Sequence, residues 1–67
     1  MKSEKWYQRR LDAYFTEHFE QYEDTAEFWN DPAKNCWLFD IPELDQKIKL
    51  LCRDNGKVEE TRYKLTK

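Results

Sequence analysis

The stretch from Cys36 to Gly56 reads CWLFDIPELDQKIKLLCRDNG, and its pattern decides the fold class. Apolar and polar residues alternate in CWLFDI and again in KIKLLCR, which is typical of half-buried β-strands. The residues PELD between the two runs predict a turn. The pair Asn55-Gly56 predicts a hairpin, because it accepts the positive φ angles of a type I′ turn. The sequence therefore predicts three consecutive strands, the last within KVEETRYKL.

The strand registers follow from matching apolar residues. Pairing Ile41 with Gln46 aligns the apolar residues of the first two strands and sets Asp40 opposite Lys47 on the other face. We predict that the covered face consists of Trp37, Phe39, Ile41, Ile48, Leu50, Thr61 and Tyr63.

The second hairpin has two alternative geometries. Pairing Asp54 with Lys57 puts Thr61 and Tyr63 on the covered face, as predicted above. The same register sets Lys49 opposite Arg62, which is unfavourable for two like charges. A bulge at Asn55-Gly56 is therefore retained as an alternative.

The first half of the chain has a helical period. One stripe recurs every three or four residues and contains Leu11, Phe15, Phe19, Tyr22, Ala26 and Trp29. We predict helix over about 4–22 and a helical part reaching about residue 31, because Asn30-Asp31-Pro32 ends it. The segment EDTAE allows either one continuous helix or a kink or break near Asp24-Thr25. The break, with a capped second helix, is favoured.

Together these elements predict one α+β domain over residues 1–67. A long N-terminal helix, which is kinked or broken in the favoured alternative, packs on a three-stranded antiparallel β-meander of about 36–66, in the order αβββ. At 67 residues the chain is near the lower size limit for folding on a hydrophobic core alone.

The charges fall into three blocks. Residues 1–11 carry +3, residues 12–45 carry −9 and residues 46–67 carry +4, for a net charge of −2. On the helix side opposite the aromatic stripe we predict an acidic row of Glu17, Glu20, Asp24, Glu27 and Asp31. Such a row imitates the phosphate track of a nucleic acid and would attract a basic protein. The alternative is an ordinary solvated helix face, since Glu is a good helix former.

The uncovered side of the sheet is a second candidate surface. We predict a basic open sheet face that carries Leu38, Lys47, Lys49, Leu51, Arg53, Arg62 and Lys64. It would bind nucleic acid, form a homodimer seam, or meet the acidic row of another copy. Stacking on bases requires open aromatic rings, and the predicted register puts the rings on the covered face. Nucleic acid is therefore the less favoured partner.

Trp6 and His18 each allow two interpretations. Trp6 lies on the polar side of the predicted helix, where it is either an exposed aromatic anchor for a partner or an indole folded back on the sheet edge. His18 beside Glu17 suggests acid–base chemistry. A half-buried histidine at the helix–sheet boundary is the favoured alternative.

The sequence predicts no catalytic, cofactor or metal site. His18, Cys36 and Cys52 are too few and too widely spaced to bind zinc. Gly56 is the only glycine, so there is no glycine-rich phosphate loop. We interpret the two cysteines as reduced thiols in a cytoplasmic protein. The amino end has no apolar run, so we expect no membrane segment.

The general build, very small, aromatic-rich and acidic on one face, resembles the inhibitors that phages and mobile elements encode against host enzymes or defence systems. The resemblance covers no specific motif. It implies an anti-defence, nucleic-acid-mimicking protein that is not an enzyme. We accordingly predict that the acidic row docks onto a basic, nucleic-acid-binding protein surface. A small nucleic-acid-binding or regulatory domain and a homodimeric adaptor are the alternatives.

Overall fold

The computed structural model describes residues 2–29 and 33–66. Helix α1 spans Glu4–Phe19 and continues as a 3-10 turn over Glu20–Tyr22. The strands are β1, Glu27–Phe28; β2, Cys36–Ile41; β3, Gln46–Cys52; and β4, Val58–Lys64. They form one antiparallel sheet in the order β1-β2-β3-β4. The predicted helix on an antiparallel sheet is confirmed, with a short fourth strand added at its edge.

Helix α1 begins at a capped end. The Ser3 hydroxyl accepts a hydrogen bond from the backbone N–H of Trp6 at 3.3 Å, and Glu4 in the first turn suits the helix dipole. The predicted helix over about 4–22 is confirmed, although its last turn is 3-10. The extension towards residue 31 and the second capped helix are wrong, because β1 occupies residues 27–28. The predicted end at Asn30-Asp31-Pro32 lies outside the described residues.

Strand β1 forms because pairing with β2 gives this segment backbone hydrogen bonds and aromatic contacts that a helix would not provide. The backbone N–H of Trp29 donates to the Leu38 carbonyl at 2.9 Å. The Phe28 ring lies 5.4 Å from the Phe15 ring and 5.0 Å from the Phe39 ring. Asp and Thr in the preceding turn are poor helix formers, so little opposes this change of direction.

The predicted register of β2 and β3 is confirmed, including Ile41 opposite Gln46 and Asp40 opposite Lys47. The predicted register of β3 and β4 is wrong by one residue, because Leu50 lies opposite Glu60. Such a shift moves every side chain of β4 to the other face of the sheet.

The hairpin turn causes this shift. The Arg53 N–H donates to the Lys57 carbonyl at 2.8 Å, which leaves three residues in the turn. Gly56 adopts φ +90°, as the last residue of such a turn requires. This geometry corresponds to the alternative with an irregularity at Asn55-Gly56. It places Lys49 opposite Thr61 and removes the unfavourable pairing with Arg62.

The shift also changes which β4 residues meet the helix. Thr61 and Tyr63, predicted on the covered face, are on the open side, and Tyr63 is 48% exposed. Glu60 and Arg62 face the helix side instead. The Tyr14 hydroxyl donates to Glu60 at 2.8 Å, and the Arg62 guanidinium lies 5.2 Å from the Phe19 ring.

The core lies between α1 and the sheet. Its buried residues are Tyr7, Leu11, Phe15, Phe19, Phe39, Ile41, Ile48, Leu50 and Cys52. Most of the predicted stripe and covered face is therefore confirmed. Trp29 is an exception, since it is 45% exposed. No helix within residues 2–29 and 33–66 is long and apolar enough to cross a membrane.

Candidate functional site

The acidic row does not form on one helix face. Glu17 is on α1 and Glu20 starts the 3-10 turn, whereas Asp24 lies in the following turn. Glu27 is in β1 opposite Asp40, on the open side of the sheet. The predicted single row is therefore wrong, because the chain turns before it is complete. Asp31 lies outside the described residues.

A different set of carboxylates does come together. Between the second half of α1 and the edge of β1 and β2 lies an acidic cleft of about 210 Å³. Its rim carries Asp12, Glu20 and Glu23, with Thr16 between them along the chain. Its floor is formed by the rings of Phe15, Phe28 and Trp37.

The aromatic floor is held in place by its own contacts. The Phe28 ring meets the Trp37 ring edge-on, with centroids 5.5 Å apart. The indole N–H of Trp37 donates to the Gln8 side-chain oxygen at 2.8 Å, which fixes the orientation of the indole. Phe28 is nevertheless 48% exposed. The cleft therefore offers a positioned ring that remains open to a partner.

The carboxylates on the rim have no cationic partner among the residues that the structure describes. Across residues 2–29 and 33–66, no side-chain hydrogen bond or ion pair involves Asp12, Glu20 or Glu23. Carboxylates beside an exposed ring are the groups that bind an arginine or lysine side chain, through charge-assisted hydrogen bonds and a cation–π contact. The arrangement fits a basic partner.

Asp12 and Glu23 were not among the predicted site residues, although a signal for them exists. Asp12, Thr16, Glu20 and Glu23 follow one another at spacings of 4, 4 and 3, which is one helix face. The exposed rings of the cleft could not be found in this way. Phe28 joins them only through the pairing of β1 with β2.

The open sheet face is not basic. Leu38, Lys47, Lys49, Leu51 and Arg53 lie on it as predicted. Arg62 and Lys64 do not, because the register shift turns them to the helix side. Glu59 takes a place on this face and pairs with Arg53 at 2.8 Å, while Glu27 and Asp40 lie towards its other edge. Among the described residues, three carboxylates therefore lie beside the three predicted cations that remain on this face.

The same face carries two exposed aromatic residues. The Trp29 indole donates to Asp40 at 3.0 Å, and the Lys47 ammonium lies 4.0 Å from its ring centroid. Tyr63, opposite Lys47, is half exposed. The argument that this face lacks aromatic rings is therefore wrong.

Trp6 and His18 lie on the other flank of α1. Trp6 is half-buried and meets the Tyr7 ring edge-on at 5.2 Å. His18 is exposed rather than half-buried. Its ring stacks on Tyr14 at 4.2 Å, and its Nε2 is 3.9 Å from a Glu17 carboxylate oxygen.

Two partly buried hydrogen bonds link α1 to the hairpin, and the pKa values of Tyr14 and Glu60 are shifted. Burial and the hydrogen bond to Glu60 raise the pKa of Tyr14 to about 12. Burial favours the neutral form of Glu60, but hydrogen bonds from Arg62 and Tyr14 outweigh it and lower the pKa of that carboxyl. On the hairpin side, Tyr7 donates to Asp54 at 2.6 Å.

The two cysteines are both free thiols. Burial raises the pKa of Cys52, which keeps its thiol protonated and unreactive. In the described part of the chain, no three His, Cys, Asp or Glu side chains come together in a group that could hold a metal ion.

Comparison of the chain with protein-family models, with curated proteins and with solved structures finds no significant match.

Proposed function

We propose that the protein is a small non-enzymatic binding protein of the inhibitor type, which docks its acidic cleft onto a basic protein surface. The observation that carries the proposal is one cleft lined by an exposed phenylalanine ring and by three carboxylates that have no partner among the described residues. The proposal keeps the kind of partner inferred from the charge pattern. It replaces the acidic row with the cleft residues Asp12, Glu20, Glu23, Phe28 and Trp37.

The carboxylates and the rings of the cleft have different roles in binding. The carboxylates attract a cationic surface over several ångströms and speed the encounter. The rings supply apolar contact area, which distinguishes a specific complex from a simple ionic encounter. A surface that normally holds nucleic acid has the matching chemistry, with arginine and lysine side chains spaced to meet phosphates.

A nucleic-acid-binding function is the second candidate. Exposed Trp29 and Tyr63 on the open sheet face favour it, since bases stack on such rings. The carboxylates of Glu27, Asp40 and Glu59 on the same face oppose it, because they repel phosphates. Because these carboxylates offset the cations of this face, we rank nucleic acid below a basic protein as the partner.

The test uses an arginine-glycine peptide as a defined basic probe. The variant D12N/E20Q/E23Q removes the cleft charges, and E4Q/E17Q/E27Q removes the same number of charges elsewhere. We expect saturable binding of the peptide, weakened by raising salt from about 0.05 to 0.2 M. The cleft variant should bind at least about tenfold more weakly, the loss expected for charge-assisted contacts, while the control variant changes little.

If peptide binding is weakened equally in the two variants, net charge alone attracts the peptide. That result would overturn the cleft proposal. Replacing Phe28 with Ser provides a second check. Because this ring is half exposed, its loss should weaken peptide binding without unfolding the domain. Retention on single-stranded DNA in place of the peptide would favour the open sheet face instead.

A further inference from the structure

A second concave surface lies on the other flank of α1, where the helix meets the turn between β3 and β4. This groove has a volume of about 510 Å³, within the range of small-molecule sites, which are roughly 300–1,000 Å³. Its lining includes Trp6, Arg9, Arg10, Tyr14, Gly56 and Val58. It shares no residue with the acidic cleft.

Two contacts place the exposed Arg10 guanidinium at this groove. Its guanidinium carbon lies 4.7 Å from the centroid of the Trp6 ring, a cation–π contact. On its other side is Gly56, where a Cβ atom would come within 2.9 Å of the same carbon. The guanidinium therefore occupies the space that any other residue at position 56 would fill.

In the described part of the chain, the Arg10 guanidinium has no hydrogen-bond acceptor. Among residues 2–29 and 33–66, neither Arg9 nor Arg10 donates a hydrogen bond or forms an ion pair. Glu17 is the only carboxylate among the described residues of the lining, and it lies beside His18. The groove is therefore cationic in a protein whose net charge is −2. A planar guanidinium with free donors binds carboxylate or phosphate in a bidentate manner.

Besides the charged residues and His18, the groove has an apolar part. Trp6 and Tyr14 present rings, and Val58 adds an aliphatic side chain from β4. The Tyr14 hydroxyl is already used by Glu60 and the His18 ring stacks on its ring, so a ligand would meet the part of the Tyr14 ring that His18 leaves open. A bare inorganic anion would leave this apolar surface unused.

We propose that the groove binds a small ligand in which a planar ring is joined to an oxyanion, either phosphate or carboxylate. Arg10, supported by Arg9, receives the oxyanion, and the ring packs between Trp6 and Tyr14. Because this groove is separate from the acidic cleft, this proposal does not depend on the proposed function, and the two can be tested separately.

The experiment titrates the protein with phenyl phosphate and with benzoate while ¹H–¹⁵N spectra record the tryptophan indole signals. Trp29 and Trp37 serve as internal controls, since their indole N–H groups are bonded to Asp40 and Gln8, and none of these four residues lines the groove. We expect a saturable shift of the Trp6 indole signal while the other two stay in place. The tighter of the two probes identifies the preferred oxyanion.

Arg10→Gln should weaken binding of that probe by about tenfold or more, as expected for loss of a charge-assisted hydrogen bond. Arg53→Gln, which removes the same charge from a solvent-exposed ion pair, should leave it unchanged. The proposal is overturned if Arg10→Gln and the native chain bind equally, or if all three indole signals move together. It is also overturned if inorganic phosphate or benzyl alcohol binds as tightly as the combined probe.

Discussion

Replacing Tyr14 with Phe removes only the hydroxyl that links α1 to β4. This hydroxyl donates to Glu60 at 2.8 Å, and Glu60 also accepts from Arg62. The ring contacts with His18 and Phe19 remain. A hydrogen bond to a charged acceptor contributes about 1.5–3 kcal/mol. Because the pair is only partly shielded from water, we expect a loss of about 1 kcal/mol in the free energy of unfolding.

The loss should depend on pH in a defined direction. The pKa of Glu60 is lower in the folded protein than in the unfolded chain. Its contribution to stability is therefore complete above the ordinary glutamate pKa of about 4.3, and disappears as the pH falls through the lower folded value. Tyr14, with a pKa of about 12, stays protonated throughout this range. The effect of Tyr14→Phe should be constant near neutral pH and smaller at about pH 3.

Urea unfolding of the native chain, Tyr14→Phe, Glu60→Gln and the double variant measures the coupling between the two residues. Tyr63→Phe is the matched control, because Tyr63 is 48% exposed and its hydroxyl has no hydrogen-bond partner in the described residues. We expect Tyr63→Phe to change the free energy of unfolding little. Tyr14 and Glu60 would lie on different sides of the sheet in the register predicted from the sequence. A coupling of zero, or an equal loss for Tyr63→Phe, would refute the three-residue turn and the register it sets.

The remaining predictions concern the core and the thiols. Phe39→Ala should lower the free energy of unfolding by about 3–5 kcal/mol, because the fully buried ring contacts three other rings. Phe28→Ala should cost less than half as much, and equal shifts in the urea midpoint would contradict this. Cys36, which is half-buried, should react with a thiol reagent in the folded state, whereas Cys52 should react only in urea because it is buried and its pKa is raised. Fast reaction of both thiols without denaturant would show that the core around Cys52 opens.

Much of the fold follows from local patterns. The alternation in CWLFDI and KIKLLCR specifies two strands and, through the matching of Phe39 with Ile48, their register. The four-residue spacing of Leu11, Phe15 and Phe19 specifies the buried side of the helix. These predictions succeeded because each depends on residues that are close in sequence and repeat at a fixed period.

The candidate site was only partly predictable. Glu20 was in the predicted acidic row, and Asp12 and Glu23 belong to a helical spacing that the sequence also contains. The aromatic floor of the cleft could not be predicted from such a spacing. Strand β1 has only two residues, so its local preference is weak and the pairing with β2 determines its conformation.

The sequence by itself determined the succession of α1, β2, β3 and β4, the covered faces of α1, β2 and β3, and the excess of acid in the first half of the chain. The tertiary structure decided which carboxylates meet, which face each β4 side chain takes and where Phe28 and Trp29 lie. A turn of three residues instead of two costs the chain little locally. It nevertheless exchanges the two faces of a whole strand, since successive side chains of a strand point to opposite sides.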